Sequence, residues 1–120
     1  MARILSISYE PTLLITRELL LRQLGHTVVS AEGFAQAFKA CKNGDNFDLL
    51  ILGHSIPHDD KLEMISEARK TCGCPILALL RHGETPLPGI ERSIDSWEPQ
   101  AFMQAVGEML GPQLVKRDLG

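Results

Sequence analysis

The hydrophobic positions along this chain change their period several times, and each change marks an element. Residues 3–8 (RILSIS) form an alternating, β-type run around Ile4 and predict a first strand. Pro11 follows where a helix accepts proline, in the first turn, because the missing N–H has no partner there anyway. From Thr12 the run TLLITRELLLRQL is built of helix formers and stops at Gly25, a residue suited to a left-handed C-cap. Thr27–Ala31 (TVVSA) is short and β-branched, a second strand. Phe34, Ala37, Phe38 and Cys41 recur at helical spacing, and Asn43-Gly44 closes that helix. After Phe47-Asp48, LLIL is a continuous apolar run of the kind covered on both faces in a parallel sheet.

Asp59 or Asp60 is placed to cap a third helix, which turns Leu62, Ile65 and Ala68 to one side and closes at Gly73. Pro75 opens ILALL, a fourth strand. Residues 81–90 (RHGETPLPGI) hold two glycines and two prolines and exclude a stable helix. A weak fifth strand near Arg92–Asp95 and a last helix from Pro99 to Leu110, ended by Gly111-Pro112, complete the pattern. Residues 1–112 are expected to form the domain and 113–120 a flexible tail.

Strands alternating with helices imply a parallel sheet between two helix layers. With right-handed crossovers, the expected fold is an α/β three-layer sandwich of flavodoxin-like type. Its five strands run in the order 2-1-3-4-5, with the fourth helix shortened or replaced by a loop.

Composition narrows the function. At 120 residues, 44% hydrophobic and 22% charged, the chain is one globular domain with enough surface to bury without metals or disulfides. Twelve Lys and Arg against fifteen Asp and Glu give a formal charge of −3, which argues against a nucleic-acid partner. Leu49–Leu52 and Ile76–Leu80 are far shorter than the roughly 20 residues that span a bilayer, so no membrane role is expected. Arg3 precedes too few apolar residues to open a signal peptide. Cys41, Cys72 and Cys74 are an odd number without metal-ligand spacing, and are expected to be reduced in a soluble, cytoplasmic protein. Cys72-Gly73-Cys74 lacks the C-x-x-C spacing of a redox pair, so both cysteines read as small apolar residues.

These landmarks resemble the receiver domain of two-component response regulators over residues 3–110. ILSISYEP…LLLRQLGHTVVSA is similar to the family's first strand, acidic turn, helix and second strand. FDLLILGHSIP is similar to its Pro-Asp-(apolar)4-Asp-(x)3-Pro signature, with Pro57 in place, and PILAL to its fourth strand. The resemblance implies a signalling domain, with a kinase, a regulator or a second copy of itself as partner.

The residues that carry the family's chemistry are missing. Ser8 and Tyr9, followed by Glu10, stand where two acids would hold Mg²⁺, and Gly53 stands at the phosphorylated aspartate. Leu80 replaces the hydroxyl residue, and Asp95 the lysine that pairs with the phosphoryl group. Phosphoryl transfer depends on positioning and on cations that neutralise the transferring charge. The expectation is therefore a degenerate pseudo-receiver: no enzyme, no cofactor, no metal, and binding through protein–protein contacts. Pro86 and Pro88 in the shortened loop, and Trp97 after it, are the candidate partner-binding residues. The alternative is a small-molecule or divalent-metal site at the same sheet edge, from Glu10, His54, His58 and Asp59. The plainer reading of that segment is a solvated loop leading into the third helix.

Overall fold

The computed structural model describes residues 2–42, 46–95 and 98–119. Its elements are β1 (Arg3–Ser8), α1 (Pro11–Gln23), β2 (Thr27–Glu32), α2 (Phe34–Lys42), β3 (Leu49–Leu52), α3 (His58–Thr71), β4 (Ile76–Leu79), β5 (Arg92–Ile94) and α4 (Pro99–Leu119). The five strands form one sheet in the order β2-β1-β3-β4-β5, and every pairing is parallel. Residues 80–91, where a fourth crossover helix was expected to be absent, contain none.

Alternation along the strands assigns the two cores. Leu5, Ile7, Leu50, Leu52, Ile76 and Ala78 face α2 and α3, where they meet Ala37, Met64, Ile65 and Ala68. Ile4, Leu49, Ile51, Leu77 and Leu79 face the other way and pack on Leu21 of α1 and on Phe102, Ala105 and Val106 of α4. The central strands bury every residue, as their unbroken apolar runs require. Leu87, from the loop that stands in for the missing helix, is buried in the first core. Gly73, at φ +67°, turns the chain out of α3 and donates its N–H to the Ala68 carbonyl.

Several expectations need correction. Neither Asp59 nor Asp60 caps α3. Pro57 holds the N-cap position, and the two acids lie in the first turn, where they face the positive end of the helix dipole. On α3 the buried positions are Lys61, Met64, Ile65 and Ala68, and Leu62 turns outward at 37% exposure. Ile65 and Ala68 are buried as the pattern suggests, and Lys61 and Met64 complete the buried face in place of Leu62. The last helix runs on through Gly111-Pro112 to Leu119. An interior proline forfeits its own N–H bond and its ring presses on the carbonyl four residues back, so this continuation runs against the local signal of Gly111-Pro112.

The cysteines are not all reduced: Cys41, near the end of α2, is bonded to Cys72 just after α3, with a Cα separation of 5.6 Å. Their pairing follows from the fold, which brings the C-terminal ends of α2 and α3 side by side on one face. Cys74 stays a free, buried thiol. The expected end of α2 at Asn43-Gly44 lies outside the described residues. No helix among the described residues is long and apolar enough to cross a membrane.

Candidate functional site

The C-terminal ends of β1, β3 and β4 carry the loops that meet at one edge of the sheet, the edge where open α/β sheets place their ligands. At its centre is Gly53, directly after β3, donating its N–H to the Ile7 carbonyl at 2.8 Å. A side chain here has no room. A Cβ on Gly53 would stand 2.8 Å from Arg17 Nη1 and 2.9 Å from the Ile7 carbonyl oxygen. Arg17 reaches this point from the buried stripe of α1, which it shares with Leu14 and Leu21. Its Nη2 donates to His54 Nδ1 at 3.0 Å. A guanidinium can only donate, so Nδ1 accepts and His54 carries its proton on Nε2. Burial, and then the charges of Arg17, Lys61 and Arg81, hold the His54 pKa below the usual imidazole value, against a weaker opposing pull from Glu10.

Two serines stitch the neighbouring turns together. Ser8, fully buried, shares a 2.8 Å hydrogen bond with the Ser55 hydroxyl. Ser8 Oγ accepts the Glu10 N–H and Ser55 Oγ the Tyr9 N–H, each at 3.0 Å. The Tyr9 hydroxyl donates to Asp60 at 2.7 Å. Burial, reinforced by this hydrogen bond and by the charges of Asp60 and Glu63, pushes the Tyr9 pKa up to about 12.

Beside this lies a second buried cation. Lys61 Nζ donates to the Leu79 carbonyl at 2.8 Å and to Glu84 Oε1 at 2.7 Å. Glu84 also accepts the Arg81 N–H at 2.8 Å, and its other oxygen accepts from His58 Nδ1 at 2.9 Å. Burial alone would raise the Glu84 pKa, but the Arg81 N–H, Lys61 and His58 together hold it below the usual carboxylate value. Desolvation lowers that of Lys61, with Glu84 working against it. Arg81 then ties the loop back to the turn after β3, donating to the carbonyls of His54 at 2.9 Å and Ser55 at 2.7 Å. The edge therefore carries three cations and an internal counterion, with no side chain at position 53.

No protein-family model matches this sequence, and no curated protein matches it. Solved structures do. A CheY-like response regulator receiver domain protein from Methanospirillum hungatei superposes with a TM-score of 0.79 at 18% identity, over 97% of this chain and 98% of that one. The response regulator TrrA from Thermotoga maritima, solved in complex with Mg(2+)-BeF, gives 0.76 at 26% identity, over 91% and 99%. TrrA solved in complex with the histidine kinase ThkA gives 0.76 at 25%, over 92% and 99%.

The chain has the receiver fold.

On that fold the sequence-predicted positions fall as follows. Ser8 and Gly53 are buried side by side at the sheet edge, with a Cβ on Gly53 only 3.3 Å from that of Ser8. Tyr9 turns its ring toward α3, and Glu10 is exposed ahead of α1. Leu80 donates its N–H to the Ile94 carbonyl at 2.7 Å, which aligns β4 with β5, and Asp95 is exposed beyond it. The alternative metal site is corrected. Glu10, His54, His58 and Asp59 do not converge, since His54 is taken by Arg17 and His58 by Glu84, and Asp59 points to solvent. Among the described residues no three acids, histidines or cysteines are grouped to hold a metal ion. Pro86 and Pro88 are exposed on either side of buried Leu87. Trp97 lies outside the described residues.

Sequence reasoning missed Arg17, Lys61 and Glu84. The signal for the first two was present, because each cation occupies a slot in an apolar helical stripe: Leu14, Arg17, Leu21 in one case and Lys61, Met64, Ile65, Ala68 in the other. Glu84 had no such signal, since its role depends on where an irregular loop folds back.

Proposed function

We propose that this chain is a receiver-like signalling module that works by protein–protein contact in two-component signalling and takes no aspartyl phosphate of its own. The observation that carries this reading is the approach of Arg17 to Gly53. With Nη1 2.8 Å from the place where a side chain would begin, position 53 offers neither a nucleophile nor space for one. The remaining cations are engaged: Lys61 with Glu84, and Arg81 with two backbone carbonyls. A phosphoryl group needs an acceptor oxygen, and position 53 supplies none.

The module acts as a binding partner and not as an enzyme, in the cytoplasm, with a histidine kinase, a regulator or a second copy as its counterpart. The complex of TrrA with ThkA supports the first of these. Ile15 and Leu19, one turn apart on α1 and 62% and 59% exposed, offer an apolar patch for such contacts. Exposed Pro86 and Pro88 offer a second surface on the loop that replaces a helix.

The test is a backbone amide NMR titration with Mg²⁺ and then beryllofluoride, paired with incubation in acetyl phosphate. We expect no saturable shift at Gly53, Leu80 or Asp95 and no gain of mass. A stoichiometric, alkali-labile acyl phosphate overturns the proposal.

A further inference from the structure

Among the described residues, Arg17 is the one buried cation at the sheet edge that lacks an acid. It is 93% shielded from solvent by its 7% exposure, and its Nη1 has no hydrogen-bond partner. Among the described residues its only hydrogen bond goes to neutral His54, and the Phe102 ring, centred 6.0 Å from the guanidinium carbon, adds at most a weak cation–π contact. A buried guanidinium with one acceptor for five N–H groups is costly unless something supplies the missing charge and lone pairs. Lys61, a few residues from the same edge, shows the satisfied arrangement, with a carboxylate at 2.7 Å.

Arg17 and His54 also line a cleft of about 310 Å³ between α1 and α4, at the lower end of the size range of small-molecule sites. Its other walls are mainly apolar, from Leu13, Leu20, Leu79 and Phe102. We propose that this cleft binds a small organic acid, with its carboxylate on the Arg17 guanidinium and its apolar chain among those four side chains. The charge count favours a monoanion. One guanidinium and the Nε2–H of His54 match a single carboxylate, whereas a phosphate dianion calls for more cations than this cleft presents. The small volume and mainly apolar walls suit a short hydrocarbon chain better than a peptide. This inference does not rest on the signalling reading above, because the cleft is lined from α1, α4, Leu79 and His54 and not by Gly53.

The test is an NMR titration of the full chain at neutral pH with sodium hexanoate, and with hexanamide as its uncharged twin, each to about 20 mM. We expect saturable shifts at Thr16, Arg17, His54 and Phe102, half-complete at about 1 mM or below, a range eight non-hydrogen atoms can support. Hexanamide should bind at least about tenfold more weakly, since it cannot pair with the guanidinium. Arg17→Gln should abolish the difference between the two ligands. Should that variant fail to fold, Leu20→Trp, which fills the cleft and leaves Arg17 in place, should abolish binding of both. Shifts that stay linear to the end of the titration, an equal response to hexanamide, or saturation at residues away from the cleft would each overturn the proposal.

Discussion

Lys61 Nζ and Glu84 Oε1 are 2.7 Å apart, with side-chain exposures of 0% and 5%, and they join α3 to the loop that stands in for a helix. Lys61 stands on the buried stripe of α3 and Glu84 on the loop between β4 and β5. Such a pair adds little net stability over an apolar pair of the same shape, but breaking it strands a charge without water. Glu84→Gln should therefore cost about 3–5 kcal/mol in urea unfolding at neutral pH. Lys61→Met combined with Glu84→Gln should cost clearly less than the sum of the single changes. An unchanged urea midpoint for Glu84→Gln would show that the loop is held by something else.

Stability should fall on the acid side in two stages. The His54 pKa is lowered in the folded state, so the folded chain binds fewer protons than the unfolded chain just below the usual imidazole value. That contribution is complete above about pH 6.5 and is lost as pH falls through the lower folded value. Protonation also removes the acceptor that Arg17 uses. The Glu84 pKa is lowered too, so its contribution persists to about pH 4.3 and is lost below that. Urea midpoints measured from pH 8 to pH 3 should show both steps, with the second smaller in Glu84→Gln, since Glu18 and Glu91 are also held below the usual carboxylate value.

Tyr9 is the only tyrosine in the chain, so its ionisation can be read directly by absorbance. The midpoint is expected at about 12, where the ordinary value is 10.0. The folded state holds the proton more tightly than the unfolded state, so this part of the stability is present below pH 10 and is lost as pH rises toward the folded value. In Asp60→Asn the midpoint should move back toward the ordinary value. A wild-type midpoint at the ordinary value would mean that the bond to Asp60 does not persist in solution.

Gly53→Ala tests the crowding at the acceptor position without adding charge. Arg17 can swing its terminal nitrogens aside, but the Ile7 carbonyl, 2.9 Å from the new methyl group, belongs to the sheet and cannot. The expected loss is about 1–3 kcal/mol by thermal or urea unfolding. Arg17→Met in the same background should recover only part of it. A variant as stable as wild type would mean that the turn after β3 relaxes freely.

The parts of this fold that were legible in the sequence are those fixed by local periodicity. LLIL and ILAL announce strands buried on both faces, and Pro11 and Gly25 bracket α1 as their backbone chemistry requires. The parallel order followed from alternation of elements and the handedness of crossovers. What escaped was set by contacts between distant segments. Cys41 and Cys72 are 31 residues apart in the chain, and nothing local marks them as a pair. Arg17 and Lys61 have the polarity of surface residues, and only their helical register places them inside. The candidate metal ligands erred in the opposite sense. His54, His58 and Asp59 are close in sequence, but the turn after β3 and the start of α3 send them to different partners.

The connection between β4 and β5 has a consequence for how the molecule opens. Without a crossover helix, β5 is three half-buried residues on a sheet edge. Its preceding loop is secured by separate clasps: Glu84 on Lys61, Leu87 in the core, and Arg69 donating to the Gly89 carbonyl and to Glu91. A helix loses its bonds cooperatively, but clasps of this kind release one at a time. In hydrogen exchange, the amides of residues 80–94 should form the lowest rung of the protection ladder, opening while β1, β3 and the first half of β4 stay closed.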